Sequence, residues 1–323
     1  MENIVRWSDV TKPAIGGITF YITFLFSLIV YSLFFEPTAI LLHSEILGLL
    51  ASCTIAFLMG LADDAYDTNP LLKFSSQVFC GIVLIYSGIY IQLFQNIYFN
   101  YIITMLWVVG LMNAINLLDN MDAITSIVTL ASIVTIISVL LIQRDASSVF
   151  FTLLLGAASS ISAFLLFNWH PSKMYMGDTG TQFLGAFMAT LSIIFLWNSP
   201  PHVTGFLADG KKILSAILTF SLPIIDTSIV FFNRIMKGTS PFVGGKDHTT
   251  HHLHYLGLKE PQIAMIYAVH SGISLLCVIA INKYVQEWSA TYMGLFAAYF
   301  ILSLLAFFII TRLKKKNNVV KPV

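Results

Sequence analysis

Long apolar runs separated by short polar breaks make up nearly the whole chain. They lie near residues 18–36, 45–62, 76–94, 99–118, 122–142, 147–168, 180–198, 212–232, 261–281 and 291–312. Most approach the ~20 residues an α-helix needs to cross a bilayer. In lipid a spanning segment must satisfy its own backbone, and a helix does so. The pattern predicts an all-α, polytopic integral membrane protein of about ten transmembrane helices, a single domain over 1–323. No soluble domain, low-complexity linker or internal repeat stands out.

Composition sharpens that picture. The 323 residues are 57% hydrophobic and 10% charged, with mean hydropathy +0.82, where a soluble domain carries about 25% charged residues. A net charge of +1 gives no electrostatic footprint for nucleic acid. Cys53, Cys80 and Cys277 all fall inside apolar runs. They read as small buried hydrophobes and not as a disulfide framework or a CxxC metal site. The opening residues are polar and the run after them is long enough to span, so no cleavable signal peptide is expected.

Lys and Arg orient the helices. With the N-terminus inside, the inside loops are 1–17, 63–75, 119–121, 169–179, 233–260 and the tail from Thr311. Only Arg144, Lys211, Lys212 and Lys283 of the 17 basic residues then lie outside, as the positive-inside rule demands. The Lys-rich tail reads as a topology anchor, with lipid-headgroup contact as the alternative. The same parity puts four polar clusters on the cytoplasmic side.

Asp63 and Asp64, with Asp67 behind them, sit where the second run meets water. A helix C-terminus disfavours carboxylates, and adjacent carboxylates repel unless a cation or donor intervenes. They are either a solvated helix end or a group that binds Mg²⁺ or handles an acidic substrate, with Lys73 one short loop away. Asn113, Asn116, Asp119 and Asp122 recur every three residues, a polar stripe on one helix face. Amides inside apolar sequence need partners, so the stripe is an interhelical bond set or the wall of a site. Met176-Gly177-Asp178-Thr179-Gly180 is a tight turn before a helix, where Asp178 is either an N-cap or the holder of a metal beside bound phosphate. Four histidines, His248, His251, His252 and His254, close the last inside loop. They suit zinc or, as donors, diphosphate oxygens, but no cysteine accompanies them. Asp226 lies within the eighth run, where an ionisable residue faces the bundle interior or a cavity; seating the following loop and a catalytic part are both open to it. His43, His202 and His270 receive no role.

In this order the clusters resemble the polyprenyl-phosphate N-acetylhexosamine-1-phosphate transferases. Asp63-Asp64 is similar to their paired-aspartate motif, and Asn113 to Asp122 to Asn-x-x-Asn-x-x-Asp-x-x-Asp. Met176 to Thr181 resembles Gly-Asp-x-Gly-Ser/Thr, Ser240 to His254 the histidine motif, and Lys12 to Gly17 a basic, glycine-ending loop. The resemblance implies attack by a membrane polyprenyl phosphate on the β-phosphorus of a UDP-linked N-acetylated sugar, releasing UMP. Mg²⁺ is the implied cofactor, with Mn²⁺ an admissible substitute. It implies Asp178 as metal ligand with Asn116 at the metal or diphosphate, and Asp63 and Asp64 positioning or deprotonating the lipid phosphate. Lys73 and Lys12 would contact phosphate oxygens, and Asp119 and Asp122 would line the nucleotide site. Asn113 falls to substrate binding, and His251, His252 and His254 to the diphosphate or sugar.

Departures from the family pattern carry expectations of their own. Asp119-Asn120-Met121-Asp122-Ala123 lacks two glycines of Asp-Gly-x-Asp-Gly, which stiffens a turn near the nucleotide. The histidine loop is closer to the WecA-like form than to the muramoyl-pentapeptide form, favouring a simple amino sugar. WecA-like members often carry one more helix before the glycine loop, so a missing N-terminal helix is expected. The expected partners are a UDP-amino sugar, undecaprenyl phosphate and the bilayer of a bacterial inner membrane, with a homodimer left open. The rival class is a secondary transporter built on Asp226 and the Asn stripe, although transporters place their sites near the midplane between repeats.

Overall fold

The computed structural model describes residues 12–35, 43–144, 148–199, 206–240, 245–285 and 287–313. Pro241–Gly244 of the histidine loop and the Lys-rich tail lie outside them. The described chain is helical from end to end: α1 (Gly16–Phe34), α2 (Ser44–Tyr66), α3 (Pro70–Tyr86), α4 (Ile97–Leu118), α5 (Ile124–Ile142), α6 (Val149–Asn168) and α7 (Gly177–Ser192). Then follow α8 (Phe206–Thr219), α9 (Ser221–Met236), the short α10 (Thr249–Tyr255), α11 (Glu260–Ile279) and α12 (Ala290–Ile310). Wider-wound turns extend α7 through Trp197 and α11 through Tyr284.

Every expected run falls on a helix, but two differ from their expected form. Eight helices among the described residues are long and apolar enough to span. α8 and α9 form a further candidate bent by 79°, where one straight span over 212–232 was expected. The apolar run at 76–94 belongs to α3, which starts six residues earlier than its hydropathy suggests. Asn69 caps it by accepting the Leu71 N–H at 2.9 Å, and Pro70 follows in the first turn, where its missing N–H costs nothing. Lys73 therefore sits on the first turn of a helix and not in a loop, which fixes the root of its long side chain.

α7 is the axis of the bundle. Nearly all of it is buried, whereas most of α12 faces outward. Phe183 and Phe187 stack on each other, and Phe24 of α1 meets both edge-on. On the outer helices Phe26, Leu166 and Leu302 are 63%, 80% and 65% exposed, apolar area on a scale that marks contact with lipid.

The N-terminal end of α7 is gripped by backbone. Gly16 and Gly17 donate to the carbonyls of Tyr175 and Met176 at 3.2 and 3.0 Å, and Tyr175 donates to Pro13 at 2.9 Å. That pairing needs glycines at the crossings. A Cβ on Gly17 would stand 2.1 Å from the Gly180 nitrogen, and one on Gly60 2.3 Å from the Asp178 carbonyl oxygen. Neither obstacle is a flexible side chain. Gly17→Ala is expected to cost about 1–3 kcal/mol, as overpacking does. A melting temperature several degrees lower for the purified protein in detergent checks this.

Candidate active site

α2 ends and α7 begins at the same end of the bundle, and the adjacent aspartates resolve their repulsion by turning apart. Asp64 reaches the start of α7, accepting the N–H groups of Asp178 (2.8 Å) and Thr179 (2.9 Å) and the Thr179 hydroxyl (2.6 Å). A carboxylate misplaced at one helix C-terminus thus caps the N-terminus of another, where orphan donors and the helix dipole favour it. Asp63 turns toward α3. Its Oδ1 accepts from the Thr68 N–H at 3.0 Å and from the Thr68 hydroxyl, and its Oδ2 accepts from Lys73 Nζ at 2.8 Å.

Lys73 is the hub. Its ammonium also donates to Asp178 Oδ2 at 2.6 Å, while Asn116 Nδ2 donates to Asp178 Oδ1 at 2.6 Å and to Thr181 Oγ1 at 2.8 Å. Three of the four polar clusters therefore meet in one group joining α2, α3, α4 and α7. One turn deeper, Asn113 trades bonds with Gln77 (2.6 and 3.3 Å), and Gln77 donates to Gln182 at 3.1 Å. Asn113 also donates to the Val109 carbonyl at 2.9 Å. These contacts are the interhelical bonding that the sequence left open for Asn113. Gln77 and Gln182 escaped the motif reading, although glutamines within apolar runs were a signal for them.

Asp119 and Asp122 close the α4 end. The Asp119 carboxyl is pushed up to about 7, first by burial and then by the charges of Asp178, Asp64 and Asp122. Asp122 accepts the Ser172 N–H (2.9 Å) and hydroxyl (2.7 Å), and Lys12 reaches both Ser172 Oγ (2.9 Å) and Asp122 (3.9 Å). The Lys12 ammonium lies 5.1 Å over the Tyr175 ring. Two further partners, His170 and Glu260, were not anticipated. His170 Nδ1 stands 3.1 Å from Asp122 Oδ2 and 3.0 Å from Glu260 Oε2.

The histidine helix α10 is seated by Asp226, as the loop-seating alternative held. Asp226 accepts from His248 Nδ1 (2.8 Å), Thr249 N–H (2.8 Å) and Thr249 hydroxyl (2.6 Å). Just before it, Arg234 forks onto Asp247 at 2.8 and 2.7 Å. Burial alone would raise the Asp247 carboxyl, but the guanidinium holds it below the usual range. Burial, then the neighbouring His248, lowers His251 to about 3. That ring is neutral at pH 7, and its Nδ1 accepts the His248 N–H at 3.3 Å, which puts the proton on Nε2. His252 and His254 are half-buried on the same helix. Thr250 ties α10 to the stripe by donating to Asn120 Oδ1 at 2.5 Å.

Fold and site together define an all-helical membrane protein with a lysine–carboxylate–amide centre at one end of its bundle. The sequence model of glycosyl transferase family 4 matches residues 46–196, the stretch that holds Asp63, Asp64, Lys73, the Asn113–Asp122 stripe and Asp178. The chain is similar to the probable undecaprenyl-phosphate N-acetylglucosaminyl 1-phosphate transferase of Bacillus subtilis (strain 168). The two are 25% identical over 281 residues, 84% of this chain and 74% of the relative. It is also similar to the decaprenyl-phosphate N-acetylglucosaminephosphotransferase of Mycobacterium leprae (strain TN), 25% identical over 282 residues, 81% of this chain and 71% of the relative. The phospho-N-acetylmuramoyl-pentapeptide-transferase of Prochlorococcus marinus subsp. pastoris is 28% identical over 284 residues, 80% of this chain and 74% of the relative. The chain is thus similar to the polyprenyl-phosphate sugar-1-phosphate transferases, and the match to the glycosyl transferase family 4 model runs from α2 through α7.

Two stability outcomes follow from the electrostatics. Asp64→Ala removes three acceptor contacts at the head of α7 and is expected to lower stability by about 2 kcal/mol, seen as a reduced melting temperature. Asp119 is raised in the folded state, so its favourable neutral form is complete at low pH and lost as pH rises through about 7. In EDTA, Asp119→Asn should therefore melt higher than wild type above pH 7 and match it below pH 4. A pH series of melting curves decides.

Proposed function

We propose that the chain transfers an N-acetylated sugar 1-phosphate from a UDP-sugar, of the UDP-N-acetylglucosamine kind, to undecaprenyl phosphate, releasing UMP. The single observation behind this reading is Lys73 held between Asp63 and Asp178 while Asn116 holds the other Asp178 oxygen. Phosphoryl transfer asks mainly for positioning and charge neutralisation. A lysine rooted on α3 and flanked by two carboxylates supplies both.

In the reaction an oxygen of the lipid phosphate bonds to the β-phosphorus as the bond from that phosphorus to the bridging oxygen of UMP breaks. Asp63, engaged by Thr68 and Lys73, positions the lysine, whose ammonium holds the lipid phosphate. Asp64 acts one step back, keeping Asp178 and Thr179 in place. Asn116 orients Asp178. Lys12 and Asp122 face the nucleotide, and His251, His252 and His254 on α10 fall to the diphosphate or sugar.

The donor set fits Mg²⁺. It is rich in carboxylate and amide oxygens, which hard divalent cations prefer. Asp178 and Asn116 would hold the ion. When bound, it neutralises charge on the phosphoryl oxygens.

The parity of basic residues supports a cytoplasmic site in the bacterial inner membrane, where the reaction would begin a lipid-linked envelope glycan. A transporter is disfavoured. Asp226 is engaged by His248 and Thr249, Asn113 by glutamine and backbone, and the charged group lies at an end of the bundle.

Purified protein given undecaprenyl phosphate, Mg²⁺ and a panel of radiolabelled UDP-amino sugars should yield labelled lipid and UMP. No product from any of them refutes the reading. EDTA should abolish transfer, with Mg²⁺ or Mn²⁺ restoring it. Asp178→Asn should lower turnover by about 100-fold or more while the protein stays folded, on the scale of losing a transition-state electrostatic group. A tenfold smaller effect removes the metal assignment.

A further inference from the structure

The junction of Asp122, His170 and Glu260 joins parts of the chain far apart in sequence. Asp122 lies in the turn after α4, His170 in the segment after α6, and Glu260 at the first residue of α11. Both carboxylates are only 10% exposed, while the imidazole between them is 32% exposed. An unprotonated nitrogen between two carboxylates would be repelled by both, so Nδ1 carries a proton and donates. The three ligand atoms lie within 4.8 Å of one another, close enough for an ion. Yet Ser172 already donates twice to Asp122, and the proton on Nδ1 accounts for the remaining contacts.

The consequence lies in what each carboxylate is attached to. Asp122 is bound to Ser172 and Lys12, whose ammonium covers the Tyr175 ring. Glu260 stands five residues beyond the end of α10, so holding Glu260 holds the exit of the histidine helix. At its entry, α10 is held by Asp226 and Asn120. The helix is thus pinned from both sides, and the imidazole is one of the contacts at the exit. All three residues lie in loops or at a helix start, beyond the apolar stretches, where a water-soluble ligand arrives. Lys73, on α3, bonds instead to Asp63 and Asp178.

We infer that His170 is a positioning residue that latches the histidine helix against the Asp122 wall and so sets the affinity for the soluble nucleotide-sugar donor, and not for the lipid acceptor. The inference rests on the transferase reading above. Glu260 opens α11, where the dipole favours a carboxylate whatever its partner. Removing the imidazole therefore loosens the bridge and leaves the helix start intact.

The test uses the full chain in nanodiscs containing undecaprenyl phosphate, with UMP release and UDP binding measured separately. His170→Ala should raise the KM for the UDP-sugar roughly tenfold, the scale of one charge-assisted hydrogen bond, while kcat and the KM for the lipid change by less than about twofold. The UDP dissociation constant should rise in parallel. His170→Asn places an amide nitrogen where Nδ1 stands and should restore donor KM to within about threefold of wild type. Glu260→Gln should weaken donor binding in the same direction, and the His170→Ala/Glu260→Gln double variant should be no worse than His170→Ala alone. An unchanged donor KM in His170→Ala, an Asn variant as impaired as the Ala variant, or additive losses in the double variant overturns the latch while leaving the transferase standing. A wild-type protein that neither releases UMP nor binds UDP overturns both.

Discussion

The first turn of α7 has to be satisfied inside a bundle that largely excludes water, and the site follows from how that is done. Its N–H groups are orphans by helix geometry, and α7 is buried along nearly its full length. Asp64 answers two of those donors from a neighbouring helix, and the glycine-ended loop before α1 closes on the turn from the other side. Once the turn is seated, Asp178 can point only where Lys73 and Asn116 meet it. Asp178 and the cap of its helix, Asp64, are adjacent in neither sequence nor helix.

The same logic divides the paired aspartates. Side by side at a helix end they repel, and the conflict is relieved by giving each its own partner: Asp63 a lysine and a threonine, Asp64 a helix N-terminus. One pair of residues therefore joins α3 and α7 to α2. A second anchoring system, built on Asp226 and on the Arg234–Asp247 fork, holds the histidine helix, and the bridges through Thr250 and His170 link the two. Charged and amide groups placed this way are costly to bury singly and inexpensive in company. They gather into two connected groups for that reason.

Much of this could be read along the chain. Apolar run length specified helices, because lipid leaves a lone segment no other way to bond its backbone. Helical period put Asn113, Asn116, Asp119 and Asp122 on one face, and parity placed the clusters at one end. Hydropathy missed the start of α3, since Asn69-Pro70 caps a helix without being apolar. It read one span where α8 and α9 meet at 79°. His170 and Glu260 were invisible, because neither sits in a periodic pattern and each acquires meaning only from a neighbour more than forty residues away.

What the amino-acid order determined by itself was the class of structure and the chemical vocabulary: helices in lipid, and carboxylates, amides, a lysine and imidazoles at one edge. Local rules suffice there, because helix formation and membrane partition depend on residues within one segment. Only the tertiary structure decided which aspartate caps and which pairs, that Asn113 bonds to Gln77 while Asn116 faces Asp178, and that Asp226 serves the histidine helix. Those roles depend on which donors arrive from other helices, and hydrogen bonds at 2.6–3.3 Å are set by packing across the bundle and not by position along the chain.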